Sequence, residues 1–139
     1  MSILDRYLAY AEAFEETYVD DDWSRIAPYF TEDAIYESDD VVRGRDTVLE
    51  KLRASVNAFD RRMDQRIPDF EEPTAEGDTV TMRWKVTYTK RGLPDLEISG
   101  HETAEFSGDQ IAALRGSFDP PALKAMGEWM AAHGAVLQG

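Results

Sequence analysis

The sequence around one acidic residue predicts that its side chain points toward the protein interior. In residues 96–106, apolar and polar side chains alternate, as they do in a half-buried β-strand. The inward set in this alternation is Leu96, Ile98, Gly100, Glu102, Ala104 and Phe106. A carboxyl group held among apolar side chains gains proton affinity, which suits a general acid or base near neutral pH. An equally good interpretation is that Glu102 pairs with an arginine or tyrosine and only holds the core together.

Two hydroxyl-bearing side chains could orient a substrate beside this carboxyl group. Tyr36 and Ser38 alternate in a short predicted strand, residues 31–38, and share the face expected to line the interior. Either could hydrogen-bond a substrate carbonyl or hydroxyl group, although a tyrosine that merely fills the core gives the same pattern. We predict Glu102 as the acid/base and Tyr36 and Ser38 as its catalytic partners.

The elements that must position these residues begin with helices. Apolar side chains recur every three or four residues through residues 3–19, which predicts a first helix, and Ser2 with Asp5 resembles a capping box. A short helix is expected to start at Trp23 and to be kinked or closed by Pro28. A second long helix is predicted to open with Asp46 as its cap. The apolar side chains predicted for the first helix face are Leu4, Tyr7, Ala11, Phe14 and Tyr18.

A run of long strands follows. Two-residue alternation predicts strands over residues 79–89, 96–106 and 111–118, joined by two hairpin turns, and a last helix from Asp119 to Gly134. Helices followed by antiparallel strands predict an α+β fold with helices packed on one face of a curved sheet. A bent sheet covered by helices encloses a cone, and a cone that side chains do not fill is a pocket. The strand residues expected to line or fill it are Met82, Trp84, Tyr88, Leu114 and Phe118.

The order of these motifs resembles a known group of proteins. Asp22-Trp23 follows an aromatic-rich helix, Tyr29-Phe30-Thr31-Glu32-Asp33-Ala34 comes next, Gly44-Arg45-Asp46 opens a helix, and the meander closes on Phe118-Asp119-Pro120. This arrangement is similar to the nuclear-transport-factor-2-like superfamily, and within it to SnoaL-like proteins related to ketosteroid isomerase, polyketide cyclases and limonene-epoxide hydrolase. The resemblance implies a cone-shaped fold, in which helices pack on a strongly curved, mainly antiparallel sheet. It also implies an interior pocket and commonly a homodimer.

The resemblance places the family's catalytic positions on specific residues of this chain. The isomerase-like second acid falls on Glu102, whereas the slot for the aspartate base holds Ser38 and the slot for the oxyanion tyrosine holds Phe14. Tyr10 and Tyr18 lie one helical turn to either side of Phe14 and could substitute, so we predict all three as ligand-binding residues. The epoxide-hydrolase aspartate position holds Gly116, and both isomerisation of steroids and limonene-type epoxide opening therefore lose support.

The composition and charge of the chain limit the number of domains and the kinds of partner that we expect. With 139 residues, 42% of them hydrophobic, the chain suits a single domain spanning residues 1–139. The formal net charge of −13 disfavours nucleic acid and anionic lipid as partners. No stretch is apolar enough for a membrane span, and without cysteine or a signal-like start we expect a cytoplasmic protein. No nucleotide motif or histidine spacing indicates a cofactor or metal, so none is predicted.

Two hypotheses of different class follow. The first is a homodimeric SnoaL-like protein that binds a small apolar or amphipathic molecule and catalyses cofactor-free isomerisation, cyclisation or dehydration. The alternative is a non-catalytic ligand-binding or dimerisation module of the same fold, because Ser38 and Phe14 replace a base and a tyrosine. An open pocket with converging polar groups favours the enzyme, whereas a solidly packed cone favours the module.

Overall fold

The computed structural model describes residues 2–138 as three helices packed against a curved, seven-stranded sheet. The helices are α1 (Ile3–Asp20), α2 (Arg45–Ala58) and α3 (Pro120–His133). The strands are β1 (Phe30–Glu37), β2 (Val41–Arg43), β3 (Gln65–Phe70), β4 (Thr74–Glu76), β5 (Thr79–Thr89), β6 (Leu96–Ser107) and β7 (Gln110–Phe118). Short 3₁₀ turns lie at Trp23–Arg25, Ala27–Tyr29, Asp60–Arg62 and Gly134–Gln138. The α+β prediction is confirmed.

The sheet is mixed but mostly antiparallel. Its strand order is β2-β1-β7-β6-β5-β3, with β4 paired to β5, and only the β1–β7 pair is parallel. The predicted meander of β5, β6 and β7 is confirmed within two residues at every boundary. The strands β2, β3 and β4 were not predicted individually.

Helix α1 begins and ends as its sequence indicates. The Ser2 hydroxyl accepts the Asp5 N–H at 3.1 Å, and Asp21 closes the helix in the left-handed conformation at φ 63°. The fully buried row is Tyr7, Tyr10, Ala13 and Thr17. This row is rotated by about one position from the predicted face, because Ala11 and Phe14 border a cavity instead of packed side chains.

The other helices correct two predicted start signals and one predicted kink or end. The cap of α2 is Gly44, at φ 94°, and Asp46 lies within the first turn of the helix rather than capping it. Asp119 does precede α3, but its carboxylate accepts from Ser99 and Arg83 instead of capping backbone amides. Pro28 neither kinks nor closes the short helix that starts at Trp23, because that helix ends at Arg25 and Pro28 lies within a second 3₁₀ turn, Ala27–Tyr29. In each case a backbone conformation or tertiary partner outweighed the local signal.

Strands β6 and β7 approach each other closely at Gly100. A Cβ atom added there would lie 2.1 Å from the Ser117 carbonyl oxygen and 2.9 Å from the Trp84 ring. Any larger residue would therefore force β6 and β7 apart. The Trp84 and Phe118 rings, whose residues pair with Gly100 from the two neighbouring strands, pack edge to face above it with centroids 5.6 Å apart.

Candidate functional site

A cavity of about 320 Å³ lies between the helices and the concave face of the sheet. This volume falls at the lower end of the range for small-molecule sites, roughly 300–1,000 Å³. Its helical lining includes Tyr10, Ala11, Phe14, Leu52, Val56 and Met126. Its sheet lining includes Met82, Trp84, Val86, Tyr88 and Ile98, with Phe70 and Phe118 at partly exposed positions. The cone is therefore open rather than packed solid, which is the arrangement that favours ligand binding.

Most of the residues predicted for the site converge on this cavity. Glu102, Tyr36 and Ser38 all line it, as do Tyr10, Phe14, Met82, Trp84, Tyr88 and Phe118. Two predicted residues lie elsewhere. The Leu114 side chain is fully buried in the core next to the cavity, and the Tyr18 hydroxyl donates to the Asp60 carbonyl oxygen at 3.2 Å.

Glu102 is the acidic group at one end of the cavity. Its Oε2 accepts a hydrogen bond of 2.5 Å from the hydroxyl of Tyr7, a fully buried residue of α1. Such a short contact is typical of a hydroxyl donating to an ionised carboxylate. Burial raises the Glu102 pKa to about 7, and the Tyr7 hydrogen bond opposes part of that rise. At neutral pH this carboxyl group can therefore both give and take a proton.

Tyrosines surround this carboxyl group. Burial, reinforced by the negative charge of Glu102, raises the pKa of Tyr36 to about 12 and also raises the pKa values of Tyr10 and Tyr7 well above that of a free phenol. All three phenols therefore stay protonated and can act as hydrogen-bond donors. Tyr7 was recognised in the sequence only as a member of the helix stripe, because its contact with Glu102 spans 95 positions.

Ser38 occupies the rim of the cavity rather than its depth. Its hydroxyl donates to the carboxylate of Asp39 at 2.8 Å, and the Asp39 side chain is mostly exposed. Lys51 lies 3.6 Å from the Asp39 carboxylate, and both effects hold the pKa of Asp39 below its usual value. The Ser38 hydroxyl can rotate toward a ligand only by giving up this bond.

A second polar cluster lines the cavity and was missed in the sequence. Arg66 Nη1 lies 2.5 Å from Glu15 Oε1, and Arg66 Nε lies 3.1 Å from Asp60 Oδ2, which also accepts the Tyr88 hydroxyl at 3.0 Å. Burial raises the pKa of Asp60, while Arg66 and the Tyr88 hydrogen bond counteract part of this effect. Arg66 pairs with Tyr88 and therefore shares its face of the sheet, but this pairing of β3 with β5 could be recognised only once the strands were placed.

Neither a metal site nor a membrane span is found in the part of the chain that the structure describes. Among residues 2–138, no three histidine, cysteine or acidic side chains converge where a metal ion could be held. No helix within the same residues is long and apolar enough to cross a bilayer.

A curved sheet, three covering helices and a largely apolar interior with a buried acid define a cone-shaped α+β protein of the nuclear-transport-factor-2-like class. Residues 9–114 match the family model described as the SnoaL-like domain. The chain therefore belongs to the SnoaL-like family, and the predicted resemblance is confirmed.

Solved structures agree on the fold. TerC, co-crystallised with polyporic acid, shares 12% identity at a TM-score of 0.68, with 91% of this chain and 98% of that chain covered. An epoxide hydrolase from Mycobacterium tuberculosis that is similar to limonene-epoxide hydrolase shares 17% identity at a TM-score of 0.61, covering 97% and 98%. A candidate polyketide cyclase from Xanthomonas campestris shares 19% identity at a TM-score of 0.60, covering 94% and 98%. No curated protein matches the sequence.

Proposed function

We propose that this protein binds a small, mostly apolar carbonyl compound in the cavity and that Glu102 transfers a proton within it. The observation that carries the proposal is a carboxyl group with a pKa of about 7 that lines an open, largely apolar cavity. General acid–base catalysis is most effective when the pKa of the group lies near the operating pH. The reaction class is cofactor-free isomerisation, cyclisation or dehydration.

In this proposal the two oxygens of the carboxyl group have different roles. Oε2 accepts the Tyr7 hydrogen bond, which holds the side chain in place and leaves Oε1 for the ligand. In the proposed reaction, the Glu102 carboxylate removes a proton from the carbon beside the substrate carbonyl and an enolate forms. Tyr36, with Tyr10 or Ser38, donates a hydrogen bond to the enolate oxygen. Protonated Glu102 then returns the proton to carbon, and the carboxylate is regenerated.

Exchange of carbon-bound protons in D₂O tests this proposal without knowledge of the natural substrate. A panel of cyclic and aromatic ketones is incubated with the protein, and loss of the proton signal beside the carbonyl is followed by NMR. Glu102→Gln keeps the shape of the side chain but cannot accept the proton. We expect the exchange rate to fall by about 10²–10⁴-fold, the usual contribution of general acid–base catalysis.

The matched control is Glu97→Gln. Glu97 lies on the same strand as Glu102 but is exposed. This variant removes the same charge and should exchange at the wild-type rate. If Glu102→Gln and the wild type exchange substrate protons equally fast, Glu102 is not the acid/base.

A non-catalytic binding module of the same fold is the second candidate. It is favoured by Phe14, which lines the cavity where the isomerase-like pattern has a tyrosine, and by Ser38, which stands in place of a carboxylate base. Ketones that bind the wild-type protein tightly but show no exchange above the buffer rate would support it. We also propose the homodimer that the family resemblance implies, and sedimentation equilibrium would test it.

A further inference from the structure

The three charged residues of the second cluster line the same cavity as Glu102 but contribute nothing to the proton transfer proposed above. They are Glu15 on α1, Arg66 on β3 and Asp60 in the 3₁₀ turn between α2 and β3. We propose that this cluster binds a second polar group of the same ligand, and that the group is a hydrogen-bond donor, a hydroxyl or an amine. This inference rests on the proposed binding of a small molecule in the cavity.

The two polar ends are separated along the sheet. Glu102 pairs with Met82 on β5, whereas Tyr88, which donates to Asp60, lies six positions further along the same strand. At about 3.3 Å per residue, the two backbone positions are about 20 Å apart along the strand.

The wall between the two ends is apolar. Trp84, Val86 and Ile98 line the cavity on β5 and β6 between the level of Glu102 and that of Tyr88. A ligand that fills the cavity and satisfies both ends therefore has an apolar middle and a polar group at each end.

The charge of the cluster determines which polar group fits. Two carboxylates face one guanidinium, so the cluster carries a formal charge of −1, and Glu102 adds a further negative charge to the cavity when it is ionised. Both carboxylates already contact Arg66, and Asp60 Oδ2 accepts two hydrogen bonds. The Asp60 and Glu15 side chains remain 20% and 32% exposed. Their remaining oxygens accept from a donor, and an anionic ligand group would be repelled.

A matched set of biphenyl and stilbene probes tests the inference by isothermal titration. The parent compound carries one para-hydroxyl group, and its derivatives carry a hydroxyl, an aminomethyl or a carboxyl group at the far para′ position. We expect the hydroxyl and aminomethyl derivatives to bind on the order of ten-fold more tightly than the parent, because they gain a charge-assisted hydrogen bond. The carboxyl derivative should bind more weakly than the parent.

Two variants assign the effect to the cluster. Glu15→Gln removes one carboxylate from the cavity and should abolish the advantage of the aminomethyl probe. Glu12→Gln is the matched control, because Glu12 is exposed on the same helix and does not line the cavity. It should leave the preference unchanged.

The outcomes separate this inference from the proposed function. If the parent and the far-end donors bind equally in both probe series, the inference is wrong while binding in the cavity stands. A preference that is unchanged in Glu15→Gln would also overturn it. If none of the probes binds, the inference is wrong, and proton exchange in the ketone panel decides the proposed function separately.

Discussion

The two ends of the cavity each hold a carboxyl group, but the groups that stabilise its charged form differ. At one end, the partner of Glu102 is the neutral hydroxyl of Tyr7. At the other end, the partner of Asp60 is the guanidinium of Arg66, which Glu15 also contacts. Burial is the largest effect on the pKa of both acids and raises both. They differ in the charge of the group that opposes this rise.

This difference separates a carboxyl group whose partner is neutral from one whose partner carries a fixed positive charge. A neutral donor stabilises a carboxylate only partly, so Glu102 titrates near neutrality and can exchange a proton with a ligand. A guanidinium stays protonated throughout the physiological pH range, so it compensates the charges of Asp60 and Glu15 continuously. The first arrangement suits proton transfer, and the second suits fixed recognition and fold stability.

The largest expected effect on stability comes from removing the fixed charge. Arg66→Ala leaves Asp60 and Glu15 without their cation, and removing one partner of a buried ion pair typically costs about 3–5 kcal/mol. We expect a loss of this size in the free energy of unfolding measured with urea at neutral pH. The loss should shrink on acidification, because protonation of Asp60 removes the uncompensated charge.

An exposed arginine on the sheet provides the control. Arg83 contacts Asp119 at 2.8 Å and Glu71 at 3.7 Å, but its side chain is 51% exposed. Exposed ion pairs contribute about 0–1 kcal/mol, so Arg83→Ala should have a small effect. Equal losses for the two variants would show that burial does not distinguish the two sites.

A smaller effect is expected from the titration of Glu102. Its pKa is about 7 in the folded protein, against 4.5 for an unperturbed glutamate. Between these values the folded state retains a proton that the unfolded state has released, so the free energy of unfolding falls as pH rises. At about 1.4 kcal/mol per pKa unit, the wild type should lose about 3 kcal/mol relative to Glu102→Gln across this window. A pH-independent difference between the two proteins would contradict the assignment.

The meander of β5, β6 and β7 was predictable because the alternation of apolar and polar residues lies within each strand. Val80, Met82, Val86 and Tyr88 are buried on one face of β5, as their alternation indicates, and Glu102 lies on the cavity side of its strand. The same alternation cannot distinguish a filled cone from an open one. The open cavity could therefore be recognised only in the three-dimensional structure.

The second cluster was not predictable in this way. Its strand, β3, contains Pro68 and Asp69, which weaken the strand signal. The ion pair between Arg66 and Glu15 joins residues 51 positions apart, and Asp60 lies in a short turn between elements. Such contacts arise from tertiary packing, which no local periodicity records. A tyrosine partner for Glu102 was one of the interpretations of the sequence, but Tyr7 could not be singled out for the same reason, since it lies 95 positions away.

Above all, we infer that Glu102, one acid in the cavity, changes its charge near neutral pH. Carbon NMR of the protein with isotopically labelled glutamate carboxyl groups measures this directly, and the signal missing from Glu102→Gln assigns the resonance. We predict that the Glu102 carboxyl resonance titrates with a midpoint of about 7. A midpoint near 4.5, the value of an ordinary glutamate, would contradict it.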